Sequence, residues 1–112
     1  MKPKRGLYIK KPWTDLILSG QKTWEIRGFN SKIRERIFII ESKTSLIVGE
    51  CDIKDCIPLS LKEFKANKDK HCVNKKVLPY KKTFALILDN VVKYEKPIPH
   101  KHKQGTVTWV NF

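Results

Sequence analysis

Alternation of apolar and polar residues along short segments is the feature that most restricts how this chain can fold. The run SLIVGECDI alternates over eight or more residues, which is typical of a β-strand with one face in the core. Five further runs have the pattern of strands, and we expect the longest to bend near Asp89–Asn90. These runs are GLYI, KTWEIR, RIFII, TFALILDNVVKYE and TVTWVNF.

Two other segments have the signals of helices. In the first, PWTDLILSG, Pro12 suits the first helical turn and Gly20 provides a C-terminal stop. Trp13, Leu16 and Ile17 share one face of this helix, so we expect that face to pack on the core.

The second helix is predicted in PLSLKEFKANK, where Ser60 is the N-cap and Glu63 completes a capping box. The segment from Asp69 to Tyr80 is polar and has no clear period, so we expect a loop with one turn of helix. KPIPHKHKQG is rich in proline and lysine and is also predicted to be a loop.

About six strands with two helices that do not alternate regularly argue against a parallel βαβ sheet. We therefore predict an α+β fold, a small and mostly antiparallel β-barrel with helices at its ends. At 112 residues the chain can bury one modest core, and we expect a single domain over residues 1–112.

Charged side chains are concentrated on the short strand KTWEIR. Successive side chains of a strand point to opposite faces, so Trp24 and Ile26 go to the core, and Thr23, Glu25 and Arg27 share the other face. Lys22 lies at the hinge after Gly20, where the strand pattern does not set its direction. A groove between the first helix and this strand would gather Lys22, Glu25 and Arg27 into one site.

In such a groove, Arg27 could grip a phosphate or a base edge with its planar fork, and Glu25 could accept from an amino group. Lys22 would supply a point charge, and Thr23 would join them as a fourth ligand-binding residue. The alternative is an Arg27–Glu25 ion pair at the surface, which would contribute little. The spacing of the residues leaves both interpretations open.

The net charge predicts a polyanionic partner. Lysine and arginine number 24 against 11 acidic residues, which gives +13 and a pI near 9.8. Eight lysines lie between Lys62 and Lys82, a run that is either a polyanion-binding face or a solvated helix and loop. We predict phosphate contacts from the lysines of this region and of the proline-rich loop, namely Lys62, Lys65, Lys75, Lys76, Lys101 and Lys103.

Two aromatic residues are candidates for stacking on a base. Tyr80 and Trp13 could each serve, although Trp13 lies on the apolar helical face and is better explained as core. His100 and His102 flank Lys101 in the proline-rich loop, where they could contact phosphate or be solvated.

Cysteine and histidine do not form a recognised metal motif here. Cys51, Cys56 and Cys72 are odd in number, which favours reduced thiols over a disulfide framework. With His71 they include zinc-ligand types, but Cys51 falls on the apolar face of its strand, so buried thiols are favoured. We predict no metal and no cofactor.

No segment has the apolar length of a membrane span, and we expect a cytoplasmic protein.

The segment PWTDLILSGQKTWEIR resembles the signature of the ASCH domain, a relative of the PUA fold. Its motif, Gly-x-Lys-x-x-Glu-x-Arg, corresponds to Gly20, Lys22, Glu25 and Arg27. The tail FALILDNVVKYEKPIPHKHKQGTVTW also resembles the closing strand and loop of bacterial ASCH proteins. The resemblance implies a PUA-like barrel whose cleft beside the first helix is lined by these residues. Since the family is generally proposed to bind RNA, it also implies an RNA, nucleoside or nucleotide partner.

The same resemblance implies a second function, because some small ASCH proteins are amidohydrolases that remove the acetyl group of N4-acetylcytidine. They are thought to use a lysine, a threonine and a glutamate. The lysine corresponds to Lys22, the threonine position holds Glu25, and Glu63 is the only candidate for the glutamate. A different catalytic route would use Glu25 as general base on water, with Lys22 and Arg27 holding the oxyanion. A third interpretation is an interaction module whose basic face binds an acidic protein.

Overall fold

Six strands form a single sheet in this computed structural model, which describes residues 2–101 and 108–112. In sheet order the strands are β2, β5, β4, β3, β1 and β6, and all neighbours are antiparallel except β1 and β3. The strands span β1 (Arg5–Ile9), β2 (Trp24–Arg27), β3 (Arg36–Glu41), β4 (Leu46–Pro58), β5 (Phe84–Pro99) and β6 (Trp109–Asn111). The sheet curls into a half-barrel, which confirms the predicted α+β, mostly antiparallel fold.

Three short helices interrupt the strands, α1 (Trp13–Leu18), α2 (Leu61–Ala66) and α3 (Lys68–His71). Gly20 has φ of 86°, a conformation that glycine adopts without penalty, and it turns the chain from α1 towards β2. The capping box of α2 is confirmed, since Ser60 Oγ accepts from the Glu63 N–H and the Glu63 carboxylate accepts from the Ser60 N–H. We expected one turn of helix within the segment from Asp69 to Tyr80. This turn is α3, which begins at Lys68, one residue before that segment.

Strands β4 and β5 form the long central pair of the sheet. The predicted bend in β5 is present, with Asn90 at φ of 50° and shifts of register on both sides of it. Gly49 allows the two strands to approach, because a Cβ at that position would lie 2.4 Å from the Val92 carbonyl oxygen.

The prediction of a loop beginning at Lys96 is wrong, because β5 continues to Pro99. Its far half pairs with β4 again, Ile98 lying opposite Ile47. Proline is tolerated there because β2 pairs only with residues 84–87, so the far half of β5 is an edge that needs no donors on its open side. Residues 102–107, which include His102 and Lys103, lie outside the described residues.

The smaller of two apolar clusters fixes the position of β2. The larger cluster lies under β1, β3, β4 and β5 and receives Ile17 from α1. The smaller cluster joins Ile26 to Phe64 of α2 and to Val73, and Trp24 packs against it. The apolar side chains of β2 pack on this cluster. Its charged residues, Glu25 and Arg27, line the space between α1 and the segment that begins at Val73.

Candidate functional site

Three charged residues of the signature meet in one place. Glu25 is 4% exposed and lies between two cations. Lys22 Nζ is 3.7 Å from Glu25 Oε1, and Arg27 Nε donates to Glu25 Oε2 at 2.9 Å. Arg27 Nη2 also donates to the Tyr8 carbonyl oxygen at 2.7 Å, which connects the site to β1. The Arg27–Glu25 pair is therefore part of a buried network and is not the exposed surface pair.

Lys22 points inward from the hinge after α1, a direction that the strand pattern left open. Its side chain is 1% exposed, and Nζ donates to the His71 carbonyl oxygen at 2.5 Å. Nζ also lies 4.8 Å from the centre of the Trp13 ring, a favourable cation–π arrangement. Burial lowers the pKa of Lys22, and the nearby Glu25 carboxylate acts in the opposite direction.

The structure does not group Thr23 with Glu25 and Arg27, and that part of the predicted polar face is wrong. Thr23 is the residue before β2, and its backbone is hydrogen-bonded to Lys70 and Leu88. Thr23 is exposed and lines a separate depression of about 330 Å³ beside Asp89 and Asn90. Lys22 lines both spaces and so separates them.

The charged network opens into a cleft of about 360 Å³. Ligand pockets for small molecules begin at about 300 Å³, so the cleft is large enough for a nucleobase with part of its sugar. Its walls combine aromatic and aliphatic side chains with two further lysines. The lining residues are Tyr8, Lys10, Trp13, Lys22, Glu25, Ile26, Arg27, Ser42, Val73, Lys75, Pro79 and Tyr80.

One of the lysines predicted to contact phosphate is part of this cleft. Lys75 lines it, whereas Lys62, Lys65, Lys76 and Lys101 are exposed and lie outside the lining. Lys103 is outside the described residues.

Sequence reasoning did not predict several residues of the site. Lys10 and Ser42 follow β1 and β3 directly, and the parallel pairing of those strands brings both residues to the cleft. Tyr8 contributes its carbonyl to Arg27 and His71 contributes its carbonyl to Lys22. Backbone contributions of this kind leave no signal in the side-chain types of the sequence. For Lys10 there was a possible signal, because the lysine pair Lys10–Lys11 directly follows the end of the first strand.

Glu63 does not reach the cleft, because its carboxylate caps the exposed start of α2. A hydrogen bond from the Ser60 backbone N–H, together with the Ser60 side chain, lowers the pKa of this carboxyl. The structure therefore separates the candidate for the amidohydrolase glutamate from Lys22 and Glu25.

His71 is buried at the end of α3 and supports one wall of the cleft. Its ring stacks on Phe64 with centroids 4.2 Å apart. Nδ1 accepts from the Val73 N–H at 2.9 Å, so Nε2 carries the proton and donates to the Phe64 carbonyl oxygen at 2.7 Å. Because both ring nitrogens are occupied, the neutral ring holds Val73 in the cleft wall.

The remaining zinc-ligand types are dispersed. Cys51 is buried in the larger core cluster, where burial raises its pKa to about 12. The three cysteines are free, and the described residues contain no group of three or more side chains that could hold a metal ion. His100 is half-buried, with its ring centroid 4.9 Å from that of Phe112.

The fold and the site define a small PUA-like half-barrel with a charged cleft beside its first helix. A crystal structure of ASCH from Zymomonas mobilis is similar, with a TM-score of 0.79 at 14% identity over 96% of this chain and 86% of that one. Two crystal structures of single-residue variants of that protein have TM-scores of 0.79 and 0.72 at 13% and 14% identity. They cover 99% and 96% of this chain and 91% and 87% of their own. No curated protein matches the chain.

The family model described as ASCH domain matches residues 7–98, so this chain belongs to the ASCH domain family. The match includes all four signature residues, from Gly20 to Arg27. Among the described residues no helix is long and apolar enough to cross a membrane.

Acidification should destabilise the protein through His71. Burial lowers the pKa of the folded His71, with the Lys22 charge acting in the same direction, whereas an unfolded histidine titrates near 6.5. Below about pH 6.5 the unfolded chain therefore binds a proton that the folded ring resists, and stability falls as pH decreases. Denaturant unfolding at about pH 7.5 and 5.5 should show a total loss of up to about 1.4 kcal/mol, because only the pH unit below 6.5 contributes substantially.

The matched control separates His71 from the other two histidines. A variant with His100→Gln and His102→Gln should keep this pH dependence, whereas His71→Gln should flatten it. Equal pH dependence in the His71→Gln protein would assign the effect to other groups.

Proposed function

We propose that this protein binds single-stranded RNA or a nucleotide, with a base in the cleft and lysines of the surrounding face on the phosphates. The observation that carries the proposal is the buried Glu25 carboxylate, which is held between Lys22 and Arg27 at the side of a cleft of about 360 Å³. A positioned carboxylate next to a guanidinium offers an acceptor and a donor side by side, which is the pattern that a base edge can satisfy.

The hydrogen bonds within the site leave capacity for a ligand. A carboxylate has about four acceptor sites, and among the described residues Glu25 accepts one hydrogen bond, from Arg27 Nε. Arg27 uses Nε and Nη2, and its Nη1 has no hydrogen-bond partner in the described part of the chain. An amino group of a base would therefore find an acceptor, and a ring nitrogen or carbonyl would find a donor.

Charge around the cleft supports a phosphate-bearing ligand. Lys10 and Lys75 line the cleft itself, and Lys62, Lys65, Lys76 and Lys101 are exposed outside its lining. Phosphate contacts position a nucleic acid, and base contacts specify it. Membership of the ASCH domain family, which is generally thought to bind RNA, agrees with a nucleic-acid ligand. A shallow basic face would instead have favoured an acidic protein partner.

RNA affinity should fall steeply as salt rises. If the five described lysines of the predicted face each neutralise one phosphate, log K should fall with log salt with a slope of about 3.5, and affinity should decrease roughly 100-fold between about 50 and 200 mM salt. Titration of labelled single-stranded RNA at several salt concentrations measures this slope.

A pair of double variants tests where the phosphate contacts lie. Lys75→Gln with Lys76→Gln should reduce the slope by about 1.4, because two contacts are lost. Lys54→Gln with Lys93→Gln removes the same charge from β4 and β5, away from the cleft lining, and should leave the slope nearly unchanged. A salt-independent affinity would contradict the phosphate contacts.

Replacing Arg27 with lysine should weaken binding of RNA or nucleoside by about 1–3 kcal/mol. The substitution keeps the charge, but a single ammonium cannot hold Glu25 and the Tyr8 carbonyl while also presenting a planar fork. Equilibrium titration of variants with matched thermal melting measures the loss.

Arg36→Lys is the matched control for this substitution. Arg36 also bridges two acceptors, the carboxylates of Glu50 and Asp52, but it does not line the cleft. It should bind like the unchanged protein. If Arg27→Lys binds equally well, the cleft is not the functional site and the lysine run from residue 62 to 82 becomes the better candidate.

One observation favours an amidohydrolase as second candidate, namely the placement of Lys22 Nζ 3.7 Å from Glu25 beside the cleft. Glu25 would take a proton from a water that attacks the carbonyl carbon of the acetyl group. It would return this proton to the N4 nitrogen as the amide C–N bond breaks, and acetate and cytidine would leave. Lys22 and Arg27 would stabilise the oxyanion.

Incubation with N4-acetylcytidine, followed by chromatography of released cytidine, tests this second candidate. The hydrolase interpretation expects turnover that Glu25→Gln abolishes, because the amide side chain is no base. Nucleoside binding without turnover would leave RNA or nucleotide binding as the function and reject hydrolysis.

A further inference from the structure

Tyr80 is the most exposed aromatic residue among the described residues of the cleft. It is 46% exposed, whereas Tyr8 is 5% exposed and Trp13 is half-buried with Lys22 Nζ over its ring. Of these three aromatic residues, Tyr80 therefore offers the most surface to a planar ligand in the cleft.

The backbone of Tyr80 is fixed by a closed pair of hydrogen bonds. Thr83 Oγ1 donates to the Tyr80 carbonyl at 2.9 Å, and the Tyr80 N–H donates to Thr83 Oγ1 at 3.3 Å. Thr83 is buried, and its carbonyl accepts from the Leu59 N–H at 2.9 Å. This turn anchors Tyr80 to the main body of the protein just before β5 begins.

The position of the ring depends on the glycine that follows the signature. A Cβ placed on Gly28 would lie 2.8 Å from Tyr80 Cδ1, so close that one of the two groups must shift, and 3.0 Å from Cγ, which is also a tight contact. Gly28 is exposed and is not among the described residues with positive φ, so its backbone suits alanine. The three atoms nearest to such a Cβ all belong to the Tyr80 side chain, and the two closest are ring atoms.

We propose that Tyr80 is the stacking surface for the planar base of the ligand, and that Gly28 is required because a side chain there would displace the ring. This inference rests on the proposed function. Stacking on an aromatic side chain tolerates any base, because every base has a π-face. The Tyr80 ring would hold the plane of the base, while Glu25 and Arg27 contact its edge.

A short single-stranded RNA containing 2-aminopurine tests the inference, since stacking quenches the fluorescence of that base. The unchanged protein should bind and quench the probe. Tyr80→Ala should lose the quenching and roughly 5- to 150-fold in affinity, the range expected for one stacked base. Tyr80→Phe should keep both, because the ring and not the hydroxyl supplies the surface.

Gly28→Ala provides the second, independent arm. It should reduce affinity and quenching as Tyr80→Ala does, although it removes no group that could contact the ligand. In a Tyr80→Ala background it should cause no further loss, since its effect passes through the ring. Melting temperatures identify any variant whose fold has changed, and Tyr80→Phe keeps the test decisive in that case.

The outcomes distinguish this inference from the function on which it rests. If Arg27→Lys and Glu25→Gln weaken binding but Tyr80→Ala does not, stacking on Tyr80 is rejected and the cleft function stands. If Gly28→Ala binds like the unchanged protein, or weakens binding equally without the Tyr80 ring, the role of Gly28 is rejected. If the unchanged protein binds neither RNA nor nucleoside, both proposals fall.

Discussion

The buried ammonium of Lys22 is the interaction on which the rest of the site depends. Moving an ammonium out of water costs several kcal/mol unless other groups replace its hydration. Here a backbone carbonyl, a carboxylate and an aromatic ring surround it, and they belong to α3, β2 and α1. Removal of Lys22 would leave Glu25 buried beside a single cation and would leave the His71 carbonyl without this donor.

The backbone around Lys22 explains why the ammonium reaches this position. Gly20 turns the chain at the end of α1, and the Lys22 N–H donates to the Leu16 carbonyl at 3.0 Å. The next residue, Thr23, is held by two backbone hydrogen bonds. Its N–H donates to the Lys70 carbonyl oxygen, and its own carbonyl oxygen accepts from the Leu88 N–H. The signature spacing from Gly20 to Arg27 is thus the length of chain that leaves a helix, turns inward and joins the edge of the sheet.

Features set by neighbouring residues could be predicted from the sequence, and features set by distant residues could not. The capping box at Ser60 and the bend at Asn90 follow from local chemistry, and the structure has both. The strand from Lys96 to Pro99 was missed because its prolines are acceptable only on an open edge, which depends on how far β2 extends. The inward direction of Lys22 depends on a carbonyl 49 residues away, which no local pattern contains.

The charges of the site and of the surface differ in how far they act. In the cleft, Glu25 offsets one of the two cations that it contacts, so the network exerts a weaker field at a distance than two free cations would. The exposed lysines of residues 62–82 have few acidic neighbours, so they dominate the attraction of a polyanion. Exposed charges mainly raise the rate of encounter, whereas buried groups govern dissociation. Ionic strength should therefore act on association through the lysine face, and changes at Arg27 should act on how long the ligand stays.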